Sequence, residues 1–159
     1  MEEKVPSFFR FEDLRVYSKS VEYSKWVLST LHTANTEGEK TLCRSFFNSS
    51  MDIAINIVEG SSRGKSQFEH YLKISKTALR ECVIYSSVAC GMGLLTEEEC
   101  ERSREYLMEL TRMIGALIVS LQKGSRRTRE TEFGSTVQDD LDDLGTIDTD
   151  FDTDGGVEV

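Results

Sequence analysis

Apolar residues recur every three or four positions along four stretches of the chain, which is the period of an amphipathic helix. In the first stretch the predicted seam is Leu14, Tyr17, Val21, Ser24, Leu28 and Leu31. In the last stretch it is Cys100, Ser103, Leu107, Leu110, Ile114, Leu117 and Leu121. The one proline of the chain, Pro6, precedes these patterns and interrupts none of them. The pattern predicts four helices.

Capping boxes, in which Ser or Thr is followed three residues later by Glu, mark three predicted helix starts. They are Thr36–Glu39, Ser66–Glu69 and Thr96–Glu99. Glycines mark the predicted ends, because glycine adopts the left-handed conformation that often closes a helix. These ends are Gly60 for the second helix, Gly91 to Gly93 for the third and Gly124 for the fourth.

Only a few residues separate the predicted helices, at 32–35, 61–65 and 93–95. Short connections make long neighbouring helices run antiparallel. The chain is therefore predicted to be all-α, with an antiparallel up-down-up-down four-helix bundle over residues 11–124. Residues 1–10 form an N-terminal arm in this prediction.

The net charge of −9 is unevenly distributed along the 159 residues. From Glu130 onward there are eleven Asp and Glu residues and no Lys or Arg, which leaves 19 basic and 17 acidic residues before it. Residues 125–159 are predicted to form a basic-then-acidic disordered tail, since the acidic part has little apolar mass. Two interpretations of that part stay open: it folds over a basic patch and competes with nucleic acid, or it only increases solubility.

The first two predicted helices carry more apolar surface than a bundle uses. On the second helix the apolar residues sweep an arc of roughly 200°, whereas a bundle helix needs little over 100°. Surplus apolar area usually marks a partner surface, which predicts a homo-oligomer. The alternative is a central second helix that is buried on several sides. The predicted oligomer interface is Val16, Tyr23, Trp26, Val27, Phe47, Met51, Ile55 and Val58.

Basic residues fall into two groups that are predicted to contact nucleic acid or a polymerase. The first group, before and along the third helix, is Arg63, Lys65, Lys73, Lys76 and Arg80. The second, predicted to follow the end of the fourth helix, is Lys123, Arg126, Arg127 and Arg129. For the Lys73, Lys76 and Arg80 stripe, an ordinary solvated face is the alternative.

The sequence offers no arrangement typical of catalysis or metal binding. Neither His32 nor His70 has a Glu three residues before it, as a carboxylate-bridged metal site in a bundle requires. Asp52, Asn56 and Glu59 share one polar strip, interpreted as a solvated edge or a subunit contact rather than as acid/base groups. We therefore expect a non-enzymatic protein with no cofactor and no metal.

Cysteine usage and the absence of targeting segments bear on the compartment. Cys43, Cys82, Cys90 and Cys100 lie inside predicted helices without a C-x-x-C pair, which favours reduced thiols over disulfides. No apolar run of about 18 residues and no signal-peptide pattern occurs. These features predict a cytoplasmic protein without a membrane role.

Three segments, at 11–17, 50–60 and 68–81, carry a family resemblance. They read FEDLRVY, SMDIAINIVEG and FEHYLKISKTALRE. In that order and spacing they resemble the 23S rRNA intervening-sequence proteins, whose relatives include the accessory variability protein of diversity-generating retroelements. Asn56, Glu59 and Gly60 lie in the second segment and are expected to be structural, as is Asp13, which is placed to interact with the first helix N-terminus.

The resemblance implies a four-helix bundle that assembles into a ring-shaped homopentamer. In the retroelement relatives such a ring binds the reverse transcriptase and template RNA. The resemblance therefore implies a scaffold for nucleic acid, a reverse transcriptase or both. The alternative is an oligomeric protein-protein interaction scaffold of the rRNA intervening-sequence type with no nucleic-acid role.

Overall fold

A computed structural model describes residues 8–31 and 34–132, with side chains described up to 126. A 3-10 helix, Arg10–Asp13, precedes four α-helices. They are α1 (Arg15–Thr30), α2 (Glu37–Ser61), α3 (Lys65–Gly91) and α4 (Glu97–Glu132). No strand occurs among the described residues, so the predicted all-α class is confirmed.

The four helices run up, down, up and down. In each contacting pair, the residue number in one helix falls as the number in its partner rises, which only antiparallel helices give. The contacts that show this are Lys19–Glu109 and Glu22–Tyr106, Ser49–Glu81 and Ile53–Ser75, and Glu69–Gln122 and Ser86–Ser103. Contacts also join α1 to α2, so each helix has two neighbours.

Two of the three predicted capping boxes are present. The Thr36 hydroxyl accepts from the Glu39 N–H, and the Glu39 carboxylate accepts from the Thr36 N–H. Thr96 and Glu99 make the same reciprocal bonds at the start of α4. The Ser66 box is wrong, because α3 begins at Lys65 and already includes Ser66.

Glu69 has other partners than a helix cap. Its carboxylate accepts from the Lys73 ammonium at 2.8 Å and from the Gln122 amide of α4 at 2.9 Å. The N-cap of α3 is Gly64, without a side-chain cap. Glu69 therefore joins α3 to α4.

The turn between α3 and α4 confirms the predicted end of the third helix. Gly93 has a φ of +70°, its N–H bonds to Cys90 O at 3.1 Å, and the N–H of Leu94 bonds to Ala89 O at 2.9 Å. This pair of bonds is a Schellman closure, which requires a left-handed residue and so favours glycine. The buried Leu94 and Leu95 then seal this end of the core.

Gly124 does not end the fourth helix. α4 continues through it to Glu132, so Lys123, Arg126, Arg127 and Arg129 lie on the helix rather than after it. A single glycine inside a helix costs about 1 kcal/mol, which the surrounding helix formers tolerate. The predicted tail therefore starts later than residue 125, and residues 133–159 lie outside the described part of the chain.

The seam predicted for α4 is confirmed. Ser103, Leu107, Leu110 and Ile114 are buried, and the remaining seam residues are half-buried against the same core. On α2, Phe46, Ile53 and Ile57 are fully buried, as their shared side of the helix predicts.

The seam predicted for α1 is confirmed in part: Ser24 is buried and Leu14, Tyr17 and Leu31 pack against the core, but the centre of the buried face lies about a quarter of a turn away. Val16, Tyr23 and Val27, which the sequence assigned to an oligomer interface, are buried in the core, whereas Leu28 is 61% exposed. The Tyr23 hydroxyl lies 3.0 Å from the Ser103 hydroxyl inside the bundle, so this side of α1 faces inward. Val16, Tyr23 and Val27 are therefore excluded from the predicted oligomer interface.

Two of the cysteines are paired. Cys90 and Cys100 form a disulfide between the end of α3 and the start of α4, while Cys43 and Cys82 are free. The expectation of four reduced thiols is thus wrong for Cys90 and Cys100. The tight turn at Gly93 brings these two helix ends together, a proximity that linear spacing does not reveal.

Candidate nucleic-acid interface

The outer face formed by α3 and α4 collects basic side chains. Lys73, Lys76 and Arg80 follow one another along α3 within about 60° of the helix circumference. Glu69, which falls in that sector, contacts Gln122 of α4. The stripe predicted from the sequence therefore borders α4.

The start of α3 lies beside the last turns of α4. The Lys65 Nζ is 3.2 Å from the position of a β-carbon built at Gly124. This places Lys65 next to the helical segment that carries Lys123 and Arg126, which are exposed. The structure thus joins the two basic groups that are far apart in sequence.

Arg104 belongs to the same face, although sequence analysis missed it. It precedes Gln122 by 18 residues, which is five turns of 3.6 residues, so both point the same way from α4. Arg104 is also exposed. Glu101 and Glu105 lie close to Arg104 in sequence, so Arg104 does not stand out as part of a basic group. Its place on the basic face follows only from the packing of α4 against α3.

The basic residues differ in whether they are already paired. Lys73 bonds to Glu69 at 2.8 Å, and the Arg63 Nε bonds to Glu59 at 2.9 Å with its guanidinium 5.3 Å from the Tyr71 ring centre. On the α3/α4 face, the residues that make no ion pair with any described residue are Lys65, Lys76, Arg80, Arg104, Lys123 and Arg126. Elsewhere Arg10, Arg15, Lys25, Arg44 and Arg112 make none either, so six of the eleven unpaired cations with described side chains lie on the α3/α4 face.

Two further predicted contact residues, Arg127 and Arg129, lie on the last turns of α4. Their side chains lie outside the described part of the structure. Arg63 is in the turn before α3, where Glu59 raises the pKa of its guanidinium by accepting its hydrogen bonds. It contributes less free charge to the α3/α4 face than Lys65 does.

The bundle face between α1 and α4 has the opposite character. The Lys19 ammonium lies 3.1 Å from Glu109, 3.5 Å from Glu22 and 4.8 Å from the Tyr106 ring centre. The hydrogen bond to Glu109 raises the pKa of Lys19, while the hydrogen bond from Tyr106 lowers the pKa of Glu22. Charges cancel locally here, so this face does not attract an anion.

The polar strip on α2 finds its hydrogen-bond partners in α2 itself and in the turn that follows it. The Asn56 amide donates to the Asp52 backbone carbonyl at 2.7 Å, and Glu59 pairs with Arg63. Asp52 is exposed and Asn56 and Glu59 are half-buried, so a solvated edge and a subunit contact both stay predictions for this strip.

Two other family-segment residues have structural surroundings. Asp13 lies in the 3-10 helix and is exposed; the N-cap of α1 is Leu14, without a side-chain cap, so the predicted interaction of Asp13 with that terminus is not a capping bond. Gly60 is buried where α2 crosses α3.

An apolar surface lies on α2. Met51 and Ile55 are 38% and 53% exposed, and Phe47 and Val58 beside them are half-buried. Trp26 of α1 is half-buried too, but it stacks on Tyr23 towards Tyr106 and so lies towards α4. The predicted oligomer interface is therefore reduced to Phe47, Met51, Ile55 and Val58, with Trp26 on another side.

Among residues 8–31 and 34–132 no group of His, Cys, Asp and Glu is arranged to hold a metal ion. Within the same residues, no helix combines the length and the apolar character needed to cross a bilayer.

A family profile described as 23S rRNA-intervening sequence protein matches residues 12–116, which include most of the four helices. A comparison with individual curated proteins gives no significant match.

Proposed function

The chain belongs to the 23S rRNA-intervening sequence protein family, and we propose that it is a non-enzymatic helical scaffold that binds RNA through its α3/α4 face. The observation that supports this is the concentration of unpaired positive charge, since six of the eleven unpaired cations with described side chains lie on this face. Unpaired lysines and arginines from two antiparallel helices share one face, whereas the α1/α4 face neutralises its own charges. Aligned unpaired cations are what a phosphate backbone requires.

Self-association would multiply this charge. In a ring of identical subunits every basic face repeats about the axis, so a modest local potential becomes a polyvalent one. The exposed Met51 and Ile55 support such contacts between copies. In this proposal the ring is a homopentamer and a reverse transcriptase is a further candidate partner. The proposal places the ring in the cytoplasm, although the Cys90–Cys100 disulfide removes the argument for that compartment from reduced cysteines.

The test replaces charge on the proposed face and measures RNA binding. Lys76→Glu with Arg80→Glu should weaken binding of a fluorescein-labelled single-stranded RNA by at least about tenfold at low salt, because each change removes a phosphate contact and adds a negative charge. The loss of these contacts should also make the affinity less dependent on salt. Lys25→Glu with Arg44→Glu is the matched control, since this exposed lysine and arginine lie on α1 and α2 and make no ion pair with a described residue. Equal weakening by both pairs would contradict the proposed face.

A second candidate function is a protein-protein scaffold without RNA. The exposed apolar surface of Phe47, Met51, Ile55 and Val58 favours it, because monomers rarely leave such residues grouped in solvent. Binding of a partner protein that survives high salt, together with no RNA shift at low salt, would favour this function over the first.

A further inference from the structure

We propose that the acidic C-terminal segment 137–154 docks on the α3/α4 face of its own chain and thereby competes with RNA. The docking half of this proposal stands on the surface itself, whereas the competition rests on the proposed function. The occupant is a named segment of the same molecule, residues outside the described structure. Three properties of the chain support the pairing.

Charge is the first property. Between residues 137 and 154 there are eight aspartates and no basic residue. The α3/α4 face presents Lys76, Arg80 and Arg104 without an ion pair among the described residues, with Lys65 and Lys123 at its end. Attraction between such surfaces acts over about 8–10 Å at physiological salt, so an acidic segment tethered beside this face has a strong local advantage.

Apolar spacing is the second property. The segment carries Val137, Leu141, Leu144, Ile147 and Phe151, three or four residues apart. This spacing is typical of a chain that presents one apolar side to a groove. On α4, Met108 and Val119 are exposed, and viewed down the helix axis they point within about 60° of Gln122. Gln122 contacts Glu69 of α3, so both residues lie on the half of α4 that borders α3. Apolar and charged groups of the face therefore have counterparts in the segment.

Reach is the third property. α4 ends at Glu132, so a segment that docks must turn back along the helix. Val119 lies 13 residues before that end, about 20 Å along the axis, and Met108 lies 24 residues before it, about 36 Å. If the segment binds as the helix that this apolar spacing describes, five extended residues as far as Val137 span up to about 17 Å and a helix to Phe151 adds about 21 Å, which gives about 38 Å in all. The segment can therefore reach both positions.

RNA cannot bind the face while the segment is docked, so the apparent association constant for RNA is the intrinsic constant multiplied by the fraction of molecules in which the face is free. If nine molecules in ten are docked, the apparent dissociation constant rises about tenfold. Only RNA able to displace the segment is then bound firmly. This gives the acidic residues a role in selectivity.

The test crosslinks the full-length protein with a carbodiimide, which joins a carboxylate to a lysine that contacts it. At low salt, Asp139 to Asp154 should link to Lys65, Lys76 and Lys123 about tenfold more often than to Lys25, the ratio given by a docking preference of ~1.4 kcal/mol. The links should fall at high salt. Leu141→Asp with Leu144→Asp adds charge but removes apolar contacts, and should reduce them.

Three outcomes would overturn the docking. One is equal linking to Lys25 and to the α3/α4 lysines, which indicates random collision. Another is unchanged linking in the leucine variant, which indicates non-specific charge attraction. The third outcome concerns a mixture of isotopically heavy and light protein. If crosslinks join heavy to light chains as often as chance predicts, the segment docks on a neighbouring copy or another molecule and not on its own chain.

The competition is tested separately in the full chain by RNA anisotropy. A variant with Asp139, Asp140, Asp142 and Asp143 changed to Asn should bind labelled RNA about tenfold more tightly at low salt. Unchanged affinity, in a protein whose binding still depends on Lys76 and Arg80, would overturn the competition alone. Loss of that dependence would instead contradict the proposed function, while the crosslinks would still report on docking.

Discussion

Gly60 and Tyr71 pack so closely that a β-carbon on Gly60 would lie 2.7 Å from the β-carbon of Tyr71. The same added atom would lie 2.8 Å from Cδ2 of Phe68. Both neighbours belong to the first turns of α3, so the absent side chain lets α2 and α3 cross at their shared end. This contact explains physically why the segment that ends at Gly60 belongs to the fold rather than to a reaction.

Gly60→Ala should therefore destabilise the protein by about 1–3 kcal/mol, because two rigidly placed groups must move apart. Urea unfolding followed by circular dichroism measures the change. Gly115→Ala is the matched control: nothing lies within 4 Å of its added β-carbon, and alanine in the middle of α4 should stabilise by up to about 1 kcal/mol. Two changes of the same sign would contradict this interpretation.

The Tyr23 hydroxyl predicts an alkaline instability. Burial raises the pKa of Tyr23 above its ordinary 10.0, and burial also raises the pKa of the Cys82 thiol above 9.0. Since the folded state keeps both groups neutral, their contribution is fully present below the unfolded-state pKa values. It is lost as pH rises above about 9–10, where the unfolded chain releases these protons.

The free energy of unfolding should fall above pH 9 by up to about 1.4 kcal/mol per pH unit for each such group. Tyr23→Phe should make that slope shallower. At pH 7 the same variant should cost about 1 kcal/mol, because Ser103 keeps only its bond to Ser86. A Tyr23→Phe variant whose alkaline slope equals that of the parent protein would contradict this interpretation.

A comparison of α4 with α1 shows when the buried face of a helix can be predicted from the sequence. The α4 seam followed from spacing alone, since its outward positions are charged and its inward ones apolar. On α1 both Leu28 and Val27 are apolar, so the 3,4 spacing fitted two faces equally well. The deciding contact, Tyr23 with Ser103, joins residues 80 positions apart and has no local signal.

The basic face shows the same limit. Lys73, Lys76 and Arg80 were found because they repeat along one helix. Arg104 was missed, since its place beside them depends on how α4 packs against α3. The Cys90–Cys100 disulfide was missed for a related reason, because it depends on the turn geometry at Gly93.

The Cys90–Cys100 disulfide should stabilise the junction of α3 and α4. It closes a loop of about ten residues, for which loop-closure entropy gives roughly 2–3 kcal/mol. Cys90→Ser with Cys100→Ser should therefore lower the thermal midpoint by several degrees. Differential scanning calorimetry measures it.

A reductant provides the control for this disulfide. The parent protein should lose the same stability in reductant, whereas the double variant should not respond. Cys43→Ser should leave the response to reductant intact, since Cys43 is free. An oxidised parent protein with the midpoint of the double variant would contradict a stabilising role.

The exposed apolar residues of α2 predict the oligomeric state. Met51→Asp with Ile55→Asp should shift the protein to monomer without unfolding it, because both side chains are exposed in the single subunit. Sedimentation velocity with circular dichroism measures both properties. Leu28→Asp is the control, since Leu28 is 61% exposed and is the one exposed large apolar side chain of α1. A parent protein that sediments as a stable monomer at micromolar concentration would exclude this interface.

Arg104 provides the sharpest test of the α3/α4 face, because Arg102 is a matched neighbour. Arg102 lies on the other side of α4, where it pairs with Glu105 at 3.1 Å and stacks 4.8 Å from the Tyr106 ring centre.

Arg104→Gln and Arg102→Gln each remove one positive charge. If phosphate contacts lie on the α3/α4 face, only Arg104→Gln should lower the slope of log affinity against log salt, by about 1. RNA anisotropy across a salt series measures the slope. Equal slopes for the two variants would mean that RNA responds to net charge alone, and the face would lose its role.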